Sequence, residues 1–303
     1  MSTLFSHFFQ KINQITPLES DFTEVLDTIA VKPKMLYFYG KMPENVVLDG
    51  FDRRPKCVAI VGSRRCTKYG EEVAYRLAYE LARMGVVVIS GLAYGIDAAA
   101  HRGAVAAGGV TVAVLGTPIN RVYPRGNLRL AEEILAKGGC IMSEYGVGAQ
   151  VLHKVSFLER NRLISGLADV VVVAEAAVKS GALNTATHAL EQGRDLLAVP
   201  GDITRPMSVG CNRLIRQGAM PYTCLDDVMS LLFPSAQKRQ KRLLMGDTEL
   251  ETAILRAIDG GVRDGEEMVR ALGVSVTEFN QAVTMLEIKG QIRALGMNQW
   301  SLN

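Results

Sequence analysis

Cysteine is scarce and scattered in this 303-residue chain: Cys57, Cys66, Cys140, Cys211 and Cys224, with no CxxC pair among them. Free thiols, largely buried, are expected rather than a metal site or a disulfide framework. Histidine is scarcer still, and His7, His101, His153 and His188 show no HExxH or other ligand spacing. No GxSxG elbow is present either, so no catalytic constellation is indicated. Long apolar runs are missing, and the opening MSTLFSHFFQKINQ has no positive region leading into an apolar one. A cytoplasmic protein with no membrane partner is therefore expected.

What is present is a strand-to-glycine pattern repeated along the middle of the chain. CVAIVGSRRCTKYG starts at Cys57, VVVISGLAYGID at Val86 and TVAVLG at Thr111. Each is a short run of β-branched residues that stops at glycine and leads into a helix-like stretch. Such runs, apolar without alternation, suit strands covered on both faces. Further strand-like runs fall at Gly139, Val170 and Leu196, and KPKMLYFYG precedes them all. In YGEEVAYRLAYELARMG, Val73, Leu77 and Leu81 recur every four residues as one buried helical stripe. This alternation predicts an α/β fold: a doubly wound, mostly parallel sheet of seven strands with helices on both faces. In open sheets of that kind, ligands bind beyond the carboxyl ends of the strands. The loops there carry Arg64, Arg65 and Lys68, so an anionic ligand is expected.

Charge divides the chain. Residues 246–303 hold five Lys and Arg against nine Asp and Glu, and the remainder holds 29 against 22. A basic body suits a polyanion, whereas the acidic end does not. The division read from the sequence is a short, partly helical segment over 1–50, with a helix around 22–30, then a main domain over 51–233. A basic linker follows over 234–245 (PSAQKRQKR lies in it), then a small unit over 246–303. That unit reads as three short helices and a hairpin joined through GM, a winged-helix arrangement. Its expected recognition helix, 277–289, carries Glu278 and Glu287 against Lys289 alone. Such a helix suits protein docking or regulation better than base reading.

Several segments could carry chemistry. In GSRRCTKYG, Thr67 stands at the expected start of a helix, where free N–H groups attract an anion. Asp97 of SGLAYGID suits either a helix cap or a functional role. NRVYPRGN reads as a constrained loop with Arg121 and Arg125 exposed. In HKVSFLERNR, Lys154, Phe157, Arg160 and Arg162 fall within nine residues. Cations that track phosphates beside a ring that stacks bases suit single-stranded nucleic acid. Equally, Phe157 could pack in the core while the arginines decorate a helix. SGALNTA places Ser180, Gly181, Asn184 and Thr185 at another helix start, suited to a phosphate or to capping alone.

These pieces occur in an order that resembles one family. GSR is followed by YG, SGLAYGID by AH, and TVAVLG by YP and N. Ser143 and Glu144, FLERNRLISGL, SGALNTA, AVPGDI, the SxGxN of 208–212 and LIRQGA follow in turn. Over residues 33–228 the chain is similar to the DNA processing protein A family, also called DprA or Smf. It departs at the N-terminus, where many relatives carry a fuller helical domain and about fifty residues stand here. The resemblance implies an extended Rossmann-like domain, often with a small C-terminal winged-helix domain, acting as a homodimer. It implies binding of single-stranded DNA without sequence preference, protection of incoming strands, and loading of a RecA-type recombinase in natural transformation. Arg64 matches the family's pocket arginine, and Lys154 and Phe157 match the lysine and aromatic before RN. Ser63 and Asn161 look like further pocket residues. Arg64, Lys154 and Phe157 are expected to converge at the carboxyl edge of the sheet. No catalytic residue and no cofactor is implied, so no enzyme is expected.

Two other classes stay open at this point. Phosphoribohydrolases acting on nucleoside monophosphates resemble this fold, but their PGGxGT with glutamate close behind reads KSGALNTATHALE here, with Glu191 two turns along. Fold alone does not decide between them. A winged-helix transcription regulator is weakened by the acidic recognition helix.

Overall fold

The computed structural model describes residues 11–44, 54–234, 246–296 and 298–302, with the side chains of 153, 154 and 302 outside the description. It divides into two compact units, Met1–Ser235 and Ala236–Asn303. The basic linker expected over 234–245 lies almost wholly outside the described residues.

The first unit is built on one sheet, within which the chain winds in both directions from β3, Cys57–Gly62. Every residue of β3 up to Val61 is buried, because the strand is covered on both faces. Cys57, Ala59 and Val61 face a core shared with α4, His153–Leu167, and α5, Ala182–Glu191. Val58 and Ile60 face the opposite core, shared with α1, Lys68–Arg83, and α2, Ile96–Ala106. In α1 the expected stripe is present: Leu77 and Leu81 are buried, with Val73 half-buried beside them. A side-chain period of two thus explains why both phases of the strand are apolar.

From β3 the chain builds outward through β4, Val87–Ser90, β5, Thr111–Leu115, and β6, Cys140–Ser143. It then crosses back to the other side of β3 and adds β7, Val170–Glu175, β8, Asp195–Ala198, and β9, Met220–Pro221. All these neighbours pair in parallel. The sheet has nine strands, not the expected seven. The short β9 escapes the pattern because it is only two residues long. At the far edge, β2, Leu36–Gly40, pairs antiparallel with β6, and β1, Asn13–Ile15, pairs antiparallel with β2. The described part of the N-terminal segment therefore belongs to the same sheet. The helix expected around 22–30 is a 3-10 turn, Glu24–Thr28, anchored by buried Phe22 and Leu26. Of the remaining helices, α3, Leu128–Ala136, and α7, Leu225–Leu232, lie on the α1 side, whereas α6, Val209–Arg216, lies on the α4 side. The fold class is as expected, a mostly parallel α/β sheet of Rossmann type. Among the described residues no helix is long and apolar enough to cross a membrane, and no cluster is placed to hold a metal.

The second unit packs α8, Glu249–Asp259, α9, Gly265–Leu272, and α10, Val276–Ile288, against a hairpin of β10, Ile292–Gly296, and β11, Gln299–Leu302. Ile254, Met268, Phe279, Val283 and Leu286 form its core, with Trp300 edge-on to Phe279 at 5.8 Å. Each helix starts on a polar cap: Thr248, Asp264 and Ser275 all accept backbone N–H bonds. The charges on the expected recognition helix serve this packing. Glu278 closes a capping box with Ser275, and Glu287 accepts a hydrogen bond from Trp300 Nε1 at 3.0 Å. Lys289 is held by Glu251 at 2.8 Å and Asp247 at 2.9 Å, which raises its pKa.

Candidate nucleic-acid interface

β3 and β7 lie side by side where the order of strands reverses. The loop leaving β3 carries Ser63 and Arg64, whereas Lys154, Phe157 and Asn161 lie on α4. The register between β3 and β7 shifts after Val61, so that Gly62 faces Glu175. A side chain at Gly62 would collide with Ile96 and the Glu175 carbonyl, so only glycine allows this approach. The Ser63 N–H donates to the Glu175 carbonyl at 2.7 Å, and the Ser63 carbonyl accepts from Ile96 at 3.2 Å. Ser63 Oγ accepts the Arg65 N–H at 3.1 Å, which closes a short serine turn. Arg64 and Arg65 are thus exposed on backbone held from three directions. Gly95, the N-cap of α2, has φ 77°, and a side chain there would strike the Ser63 carbonyl and the backbone of Arg64.

The helix start at Thr67 is not open to an outside anion. Glu175 occupies it: Oε2 accepts the Thr67 N–H at 2.7 Å and Oε1 accepts the hydroxyl at 2.9 Å. Thr67 Oγ1 in turn accepts from Gly70 N at 3.3 Å. A buried carboxylate of the chain already complements the positive end of α1. Asp97 likewise does not cap α2. Its Oδ2 accepts the N–H groups of Gly91 at 3.1 Å and Ala93 at 3.4 Å, folding the loop after β4 back on itself. Burial raises its pKa, opposed by nearby Arg160, those two N–H bonds and Arg64.

Phe157 is half-buried at the cavity wall rather than in the core. It rests on Gly116, where a Cβ would collide with the ring. The Arg64 guanidinium carbon lies 5.2 Å over its centroid and that of Arg160 lies 5.8 Å away. Both distances suit cation–π attraction. Arg160 is only 4% exposed and its Nη1 donates to the Val114 carbonyl at 2.6 Å. Burial lowers its pKa to about 10, Asp97 opposing the shift and Arg64 adding to it. Arg162 turns away, paired with Glu144 through Nη2 at 2.6 Å and 2.7 Å, and lines no part of the cavity.

Asn161 joins α4 to the start of α5: its Nδ2 donates to Asn184 Oδ1 at 3.1 Å and to the Gly181 carbonyl at 3.4 Å. Ser180 Oγ accepts from Ala182 N at 3.3 Å, so a local serine turn just before α5 accounts for the serine. Lys154 falls in the first turn of α4, and its side chain lies outside the described residues. Glu191, the carboxylate considered for hydrolysis, sits at the far end of α5, 3.2 Å from His188, and does not line the cavity.

Ser63, Arg64, Phe157 and Asn161 therefore meet around one cavity of about 1000 Å³. Arg65, which the sequence placed at the ligand edge beside Arg64, lines it too, as do Tyr123, Lys179 and Met207, which sequence reasoning did not assign there. Tyr123 lies in a loop legible only as constrained, and nothing in its spacing marks it as facing the cavity.

A Rossmann-type protein with a cation- and ring-lined cavity at its topological switch point is the class defined by this fold and site. Family comparison is specific. Residues 13–233 match the model for DNA recombination-mediator protein A, and residues 238–296 match the DprA winged helix domain. The chain belongs to the DNA recombination-mediator protein A family, DprA/Smf. It is 42% identical over 226 residues to DNA processing protein DprA of Streptococcus pneumoniae, covering 73% of this chain and 75% of that one. Protein Smf of Escherichia coli is 45% identical over 175 residues, covering 58% of this chain and 46% of that one. A solved structure of DNA processing protein A from Helicobacter pylori, described for its single-stranded DNA binding mode, superposes with TM-score 0.62 at 31% identity. That match covers 74% of this chain and 97% of the Helicobacter chain.

Proposed function

We propose that this chain binds single-stranded DNA without sequence preference at the switch-point cavity. The observation that carries the reading is the Arg64 guanidinium over Phe157 in one cavity, although one residue lies on the loop after β3 and the other on α4. In this reading Arg64 and Lys154 meet phosphates, and Phe157 offers a face to a base. Ser63 and Asn161 hold the loops that frame them. The binding unit is residues 51–233, with 234–245 a tether and 246–303 a separate, net-acidic module that meets protein rather than DNA. The chain acts as a homodimer in the cytoplasm, protects incoming strands, and helps to load a RecA-type recombinase during natural transformation. Family membership and the Helicobacter relative support this wider role.

The test compares gel shifts of single- and double-stranded DNA of equal length at one fixed salt concentration. Preference for the single strand is expected, and equal or tighter duplex binding would overturn the reading. Incubation with AMP tests the phosphoribohydrolase alternative, and release of free adenine would favour it.

A further inference from the structure

Tyr123 forms part of the same cavity wall as Phe157. The two ring centroids lie 5.6 Å apart and their planes meet at 41°, giving two contiguous facets rather than a parallel stack. Their surroundings differ. Phe157 is half-buried against Gly116 with Arg64 over it, whereas Tyr123 is 42% exposed. Both neighbours of Tyr123, Val122 and Pro124, are buried. The surrounding loop is fixed: Thr117 Oγ1 donates to the Arg121 carbonyl at 2.5 Å, and Arg121 N donates to the Pro118 carbonyl at 2.8 Å. Asn127 Nδ2 ties it to the carbonyls of Leu92 at 2.9 Å and Ala93 at 3.1 Å. The ring is therefore presented to solvent on prearranged backbone, which lowers the entropy lost on binding. A cavity of about 1000 Å³ also stands at the upper end for a single small ligand.

We propose that Tyr123 is a second base-stacking residue, so that the site takes two neighbouring bases of one strand, one on each facet. The proposal rests on the single-strand reading above. It differs from a packing role because a stack needs a π face on the protein and a base on the ligand.

The probe is an oligothymidylate of about 12 nucleotides, beside an abasic strand of equal length with all its phosphates. Binding is read by fluorescence anisotropy for wild type, Tyr123→Phe, Tyr123→Leu, Phe157→Leu and the double leucine variant, after thermal melts show each is folded. Leucine keeps apolar bulk beside its neighbour and removes the π face. Should Tyr123→Leu melt early, Tyr123→Met replaces it, and Phe157→Met likewise replaces Phe157→Leu. Tyr123→Phe should bind as wild type does, and Tyr123→Leu about tenfold more weakly. The double variant should be about tenfold weaker again than Phe157→Leu, because each ring serves its own base. The abasic strand should bind wild type and Tyr123→Leu equally. Unchanged thymidylate binding by Tyr123→Leu would overturn the proposal, as would a double variant no weaker than Phe157→Leu or an equal loss on the abasic strand. Failure of wild type to bind any single strand would instead overturn the functional reading.

Discussion

At the scale of single residues, groups buried near the cavity and groups exposed in it make different demands. His101 is fully buried with Nδ1 2.8 Å from Thr111 Oγ1. Thr111 gives its one hydroxyl proton to the Val88 carbonyl at 2.7 Å, so the His101 N–H is the donor between them. Burial, and then the charge of Arg160, lower its pKa from 6.5 to about 3. The unfolded chain therefore binds the extra proton between those values. Stability from this group is complete above pH 6.5 and is lost as pH falls towards 3. Melting temperatures followed by circular dichroism should drop across that range, and His101→Leu should flatten the acid limb. Parallel losses in both proteins would contradict this assignment. Phe157 makes the opposite kind of demand. Phe157→Ala should stay folded, since the ring is at the cavity wall, and should cost about 1–3 kcal/mol of single-strand affinity with little change in salt dependence. Unfolding of that variant would place the ring's role in the core.

Among elements, the strand ends and their glycines decide where the candidate residues stand. Gly95→Ala should show this most plainly, because φ 77° strains any side chain and the methyl would strike the Ser63–Arg64 backbone. The variant should lose more than about 1 kcal/mol of stability and bind single strands more weakly. A melting temperature and affinity like wild type would show that the GSR loop moves freely. The strands from β3 to β8 were legible because strands buried on both faces leave unbroken apolar runs, and those of β3, β4 and β5 stop at glycine. The two-residue β9 left no such run. Nor did the sequence show that α1 begins on a carboxylate of its own chain: Glu175 is distant from Thr67, and the pairing exists only because β3 and β7 are adjacent. The same limit hid the divergence of Arg160 and Arg162. Two residues apart on α4, one is buried under the cavity ring and the other is paired with Glu144. Density of cations along the chain could not separate them. Arg64 and Phe157 were legible as a loop cation and a ring among cations as well as through family resemblance, and their convergence at one edge was expected; the fold adds that the guanidinium lies over the ring.

In the whole molecule, DNA affinity is proposed to lie in the basic unit and a different task in the acidic one. Removal of residues 246–303 should leave most single-strand affinity intact in a gel shift. A loss of tenfold or more, about 1.4 kcal/mol, would move the binding site. The central claim is that the strand's phosphates meet Arg64 and Lys154 while a base meets Phe157. Its most direct test is the slope of log affinity against log salt for single-stranded DNA, compared between wild type, Arg64→Ala, Lys154→Ala and Phe157→Ala. Each phosphate contact should contribute roughly −0.7 to that slope. The account predicts weaker binding with a flatter slope for each cation variant, and weaker binding with an unchanged slope for Phe157→Ala. Normal binding by Arg64→Ala at every salt concentration would contradict it.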